Sequence, residues 1–189
     1  DMNIPLPIRM LMVRAVPDGE QNPRFEAAFD AFRQYYMMHA LDHTKPYEGI
    51  TETLRELKRR GKRMAVVSNK MHDATTSLCL HFFHDTIGVA IGENEAAGIR
   101  KKPAPDTVFE ALRQLNEKGK EESGKPASGN QGSHDSVYVG DSDVDLATAR
   151  NSGLPCISVL WGFRDRQFLI DHGATTFVEH PGEIVDTTR

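Results

Sequence analysis

The sequence predicts an α/β protein built on a doubly wound, Rossmann-like parallel sheet, and three observations carry that prediction. Short uninterrupted apolar runs at residues 64–67 (MAVV), 137–139 (VYV) and 156–160 (CISVL) read as strands buried on both faces. Segments with helical character at residues 50–60, 73–83, 105–118 and 143–151 alternate with them. Polar clusters stand at or just beyond the carboxyl ends of strands, where ligands of open parallel sheets gather.

Taken in order, residues 7–16 (PIRMLMVRAV) read as a short helix opened by Pro7 or as a strand, and so short a run leaves the choice open. Pro17, Asp18 and Gly19 break the pattern as a turn. Over residues 23–41, Phe25, Phe29, Phe32, Tyr35 and Tyr36 recur mostly at three- and four-residue steps, which gives an amphipathic helix with packed aromatics. The helix at 50–60 stops at Gly61, a good C-terminal cap. Strand 64–67, helix 73–83 and a strand-like run at 87–91 follow. Pro105 and Asp106 suit the first turn of the helix at 105–118. Residues 119–134 hold Gly, Ser, Lys and Asn with almost nothing apolar, and read as a flexible surface loop. Beyond 137–139 come a helix to 151 closed by Gly153, the strand at 156–160, a helix at 165–172, a short strand at 176–178 and a final turn from 181.

Composition bounds the function. A chain of 189 residues, 39% hydrophobic and 26% charged, can bury one core with a small accessory piece. A net charge of -4 with mixed signs points to no nucleic acid and no membrane surface as partner, while a small anionic substrate stays compatible. Cys79 and Cys156 share no CxxC-like spacing and read as reduced core thiols. No run approaches the roughly 20 apolar residues of a membrane span, and the start lacks a signal pattern, so a cytoplasmic location is expected. The chain opens on Asp1, so either Met2 follows a tag remnant or residues precede it.

Three clusters carry chemistry. Ser68-Asn69-Lys70 places a hydroxyl and an amide behind a strand, where they can hold phosphate oxygens or cap the next helix. In Lys101-Lys102-Pro103-Ala104-Pro105-Asp106 the flanking prolines stiffen the backbone of Lys102, whose ammonium can neutralise a phosphate or carboxylate or simply be solvated. Gly140-Asp141-Ser142-Asp143-Val144-Asp145 clusters carboxylates past a strand, as hard ligands for Mg²⁺. Asp141 is the candidate direct ligand. Asp145 is either a second or supporting ligand or, with Ser142, part of a capping box.

In this order the clusters resemble the second, third and fourth motifs of the haloacid dehalogenase superfamily, and more closely its phosphoglycolate phosphatase group with a helical cap. Residues 42–49, 66–70, 102–106, 138–153 and 161–165 (WGFRD) carry the resemblance. It implies a partial helical cap over residues 1–46 and an α/β core over 47–189. It also implies Mg²⁺-dependent hydrolysis of a small phosphorylated metabolite through an aspartyl-phosphate. Ser68, Asn69 and Lys102 would bind phosphate, with Lys102 also steadying the nucleophile, and Asp141 and Asp145 would serve the metal. The family's first motif, Asp-x-Asp-Gly-Thr on a strand between those ending at Ser68 and Asp141, does not occur in these residues. The nearest string puts Val16 where a nucleophile should stand. A truncated or catalytically inactive phosphate-binding protein is therefore the alternative. An unrelated nucleotide-binding domain is disfavoured by the lack of GxGxxG or GxxxxGK[ST].

Overall fold

A computed structural model describes residues 8–94, 97–123 and 136–188. The described residues open with helix α1 (Ile8–Ala15), so the ambiguous run is helical from residue 8, and a 3₁₀ turn (Gly19–Gln21). Helix α2 (Phe25–His39) follows. Arg9 ties α1 to α2: its guanidinium lies 5.0 Å from the Phe25 ring centre and 5.3 Å from that of Phe29, and pairs with Glu26. Residues 40–49 then run to α3 without helix or strand, across the expected division at 46.

Helix α3 (Ile50–Arg59) ends where Gly61 takes φ 76°. Strand β1 (Ala65–Met71), helix α4 (His72–Phe83), strand β2 (Val89–Glu93) and helix α5 (Asp106–Ser123) follow. The carboxyl half of the chain supplies β3 (Tyr138–Gly140), α6 (Asp143–Asn151), β4 (Cys156–Val159), α7 (Arg166–Asp171), β5 (Phe177–Val178) and α8 (Glu183–Thr187). Several boundaries shift by one or two residues, β2 among them (Val89–Glu93 against an expected 87–91), and two shift further. Strand β1 runs on through Ser68 and Asn69 to Met71, with its register broken between Val67 and Met71. Helix α5 continues through Gly119 to Ser123, into the stretch expected to be loop. Gly119 suits that position, because a Cβ there would stand 2.2 Å from Nη1 of Arg63, which donates to the Leu115 carbonyl. The remainder of the expected loop, 124–134, lies outside the described residues.

Every strand pair is parallel, as the buried apolar runs require, but the ladders come in two pieces: β2 pairs with β1, and β3 with β4 and β5. Among the described residues no backbone hydrogen bond joins β1 to β3. The family's first motif would place a strand between them, and no segment of these residues takes that place. Side chains cross instead. Val67 packs both against the cluster of Val89, Ile91 and Ala111 and against that of Val108, Tyr138, Ala149 and Leu154. Against β4 and β5, Leu57 of α3 joins Ile157, Val159, Val178, Ile184 and Val185. The carboxyl ends of β1 and β3 are thus held by helices packed around them. No described helix is long and apolar enough to cross a membrane.

Candidate active site

The site begins at the broken register of β1. Ser68 Oγ accepts the Lys70 N–H at 3.1 Å, which turns the strand locally. Asn69 closes a two-bond ring on the backbone of Lys102: Lys102 N donates to Asn69 Oδ1 at 2.7 Å, and Asn69 Nδ2 donates to the Lys102 carbonyl at 3.1 Å. That ring spends the amide oxygen and one of its N–H groups. Lys102, whose bond to Pro103 is cis, is thereby fixed to a strand 33 positions away in the chain.

From that anchor the Lys102 ammonium reaches Asp145 Oδ1 at 2.8 Å and the Tyr138 hydroxyl at 3.3 Å. The two partners of the ion pair are 14% and 9% exposed at the side chain, so this is a desolvated pair. Asp145 collects further donors: Tyr138 Oη at 2.9 Å on Oδ1, and Ser142 Oγ at 2.6 Å with Asp141 N at 3.2 Å on Oδ2. Burial raises the carboxyl of Asp145, but the Lys102 ammonium and these hydrogen bonds outweigh it and hold the group below its ordinary range. Burial, with the Asp145 charge adding to it, drives the Tyr138 hydroxyl far up. Gly140 permits the arrangement, since a Cβ there would lie 2.3 Å from Asp145 Cβ.

Asp141 stands at the end of β3, half-buried. Its Oδ2 accepts the Phe163 N–H at 2.9 Å, and its carbonyl accepts Arg164 N–H at 3.2 Å. Burial pushes its carboxyl up; the Asp145 charge adds to this, and the Phe163 N–H only partly opposes it. Asp143 points elsewhere, toward Arg164 Nε at 3.4 Å.

The structure therefore joins Asn69, Lys102, Asp145 and Asp141 in one hydrogen-bonded chain, with Ser68 next to its first member. The cap of α6 is Ser142, whose Oγ accepts Asp145 N–H at 3.3 Å. The Asp145 carboxylate reaches the N–H of Asp141, one residue before the cap, so the capping box is only half formed. Its two oxygens are occupied by four donors, which does not fit a metal ligand. Asp141 does fit as one: a hard oxygen, Oδ1, on a carboxyl held half out of water. Mg²⁺ is commonly held by one or two carboxylates, with water and phosphate oxygens completing the shell. Among the described residues no group of three or more His, Cys, Asp or Glu converges as a ready-made metal cage. No motif or spacing marked Tyr138 or the backbone of 162–164 as part of the site. Tyr138 resembles any strand residue, and backbone donors leave no side-chain signature.

A buried lysine–aspartate pair and a second carboxylate thus stand together beyond the carboxyl ends of the parallel strands β1 and β3. The description "Haloacid dehalogenase-like hydrolase" matches residues 5–159, and the chain belongs to that family. It is 29% identical over 158 residues to a phosphoglycolate phosphatase of Aquifex aeolicus, across 80% of this chain and 64% of that protein. Pyrophosphatase PpaX of Bacillus cereus is 24% identical over 147 residues, covering 77% of this chain and 61% of its own length. A crystal structure from Lactobacillus delbrueckii subsp. bulgaricus that carries the phosphoglycolate phosphatase name superposes with TM-score 0.71 at 29% identity, over 96% of this chain and 78% of that one. The chain spans 52% to 64% of the length of the first curated relatives it matches.

Proposed function

We propose that the protein is a Mg²⁺-dependent phosphomonoester hydrolase of the phosphoglycolate phosphatase kind, acting in the cytoplasm on a small phosphorylated metabolite. The observation that carries the reading is the Lys102–Asp145 pair, anchored by Asn69 and set beside Asp141. In this reading the Ser68 hydroxyl and the remaining Asn69 N–H hold phosphoryl oxygens. Lys102 places a positive charge against the phosphate and the attacking carboxylate, and Asp145 holds that ammonium in position. Asp141 Oδ1 is the ligand these residues offer to Mg²⁺, which when bound neutralises phosphate charge. The attacking and proton-transferring aspartates belong to an Asp-x-Asp-Gly-Thr run that the 189 residues do not contain. Relatives named for phosphoglycolate and for pyrophosphate share one substrate chemistry, a small anion with a terminal phosphoryl group.

The test is release of phosphate from p-nitrophenyl phosphate by the protein with its natural upstream residues, with Mg²⁺ and with EDTA. Turnover that requires Mg²⁺ and falls on Lys102→Met supports the reading. No hydrolysis across pH 5 to 9 sinks it. The missing Asp-x-Asp-Gly-Thr supports a second reading, phosphate binding without turnover. An in-frame copy of that motif in the natural sequence upstream removes it.

A further inference from the structure

We infer that the turn after β4, residues 161–164, is the element that aims Asp141: it ties down one carboxylate oxygen and leaves the other to meet a cation. The inference rests on the metal reading above and adds a role for residues to which nothing else assigns one.

The geometry is built from backbone and packing together. Phe163 N–H holds Asp141 Oδ2 at 2.9 Å, and Arg164 N–H holds the Asp141 carbonyl at 3.2 Å. Gly162 lies flat against the same side chain, where any Cβ would come within 2.3 Å of both Asp141 Cβ and Oδ2. The turn is itself held by Arg164, at two points outside it and one within. Its guanidinium carbon sits 4.7 Å from the Phe163 ring centre and 4.1 Å from that of Phe168 in α7, and its Nε lies 3.4 Å from Asp143 Oδ1 in the first turn of α6. Asp165 then caps α7 by accepting Phe168 N–H at 2.8 Å. Arg164 thus links the helix that follows Asp141 to the helix that follows the turn, with the N–H that restrains Asp141 between them. A carboxylate restrained through Oδ2 has its side-chain rotamer chosen before any cation arrives, so less ordering is left for binding to oppose. Outer partners of metal ligands act in this way, and losing one typically weakens metal affinity 10- to 100-fold. Arg164 and Gly162 are positioning residues in this scheme and need not touch the ion.

Mn²⁺ is the probe, and its free concentration is followed by electron paramagnetic resonance during titration of the full chain. Asp141→Asn should abolish binding. Gly162→Ala and Arg164→Ala should each weaken it about 10- to 100-fold, and Arg164→Lys, which keeps the charge facing Asp143, should recover part of the Arg164→Ala loss. Val89→Ala, in a core cluster away from the turn, serves as control: it lowers the melting temperature without moving the Mn²⁺ dissociation constant. If Gly162→Ala fails to fold, the Arg164 pair carries the test. Loss of binding in Asp141→Asn with wild-type affinity in the folded turn variants overturns the inference and leaves the metal reading standing. Equal binding, or equal failure to bind, by wild type and Asp141→Asn removes the metal reading and the inference together.

Discussion

Replacing Lys102 with methionine keeps the aliphatic stem and deletes the charge around which Asp145 is arranged. Asp145 would keep three donors, Tyr138 Oη, Ser142 Oγ and Asp141 N, and lose its counter-ion. Orphaning one partner of a buried ion pair costs about 3–5 kcal/mol. The side chains are 14% and 9% exposed, so solvent relieves little of this, while the retained donors place the loss near the lower end, about 3 kcal/mol. Asp145→Asn leaves the ammonium with the Tyr138 hydroxyl and costs a similar amount. The double variant carries neither charge and should lose clearly less than the sum, with a coupling of at least about 2 kcal/mol, within the range of contacting pairs. Urea unfolding of the four proteins at neutral pH, followed by circular dichroism, gives the cycle. Additivity within about 0.5 kcal/mol would refute the buried pair as an energetic unit.

Three further outcomes follow from the same structure. Gly140→Ala, which forces a Cβ to 2.3 Å from Asp145 Cβ, should destabilise by more than about 2 kcal/mol, whereas Gly182→Ala, with nothing within 4 Å and a helical φ of -58°, should stay within about 0.5 kcal/mol; equal midpoints in urea for the two would count against the close approach. Burial pushes Cys156 up to about 12 and raises Cys79 as well, so both thiols should resist Ellman's reagent at pH 8 until the chain is unfolded, and rapid reaction in the native state would contradict the burial of Cys79 and the half-burial of Cys156. The 189 residues alone, with Val16 at the nearest match to a nucleophile position, should release no measurable phosphate from p-nitrophenyl phosphate with Mg²⁺ present; measurable Mg²⁺-dependent turnover would show that the nucleophile lies elsewhere in them.

Much of this was legible in residue order. Apolar runs without alternation marked β1, β3 and β4, and Gly61 and Gly153 marked helix ends, because each signal is local. The three polar clusters were visible for the same reason, and the resemblance supplied their convergence. What sequence could not show was how the functional groups divide their hydrogen bonds. Asn69 looked like a phosphate donor, yet its oxygen and one N–H serve the Lys102 backbone across 33 positions. Asp145 looked equally suited to metal and to cap, yet its carboxylate is taken up by an ammonium 43 positions away and three further donors. Residues 119–123 read as loop because they hold almost nothing apolar, yet they continue α5, where Gly119 lies close to Arg63, a residue remote in the chain.

In the 189 residues by themselves, the division of the strands into two ladders has a consequence for cooperativity. Between β1 and β3 the described residues share no backbone hydrogen bond, and the links are side chains such as Val67, the Asn69 ring and the Lys102 bridge. Opening the β1–β2 ladder therefore breaks no hydrogen bond of the β3–β4–β5 ladder. Amide exchange should sort their protons into separate protection classes, with the weaker seam running through the lysine itself.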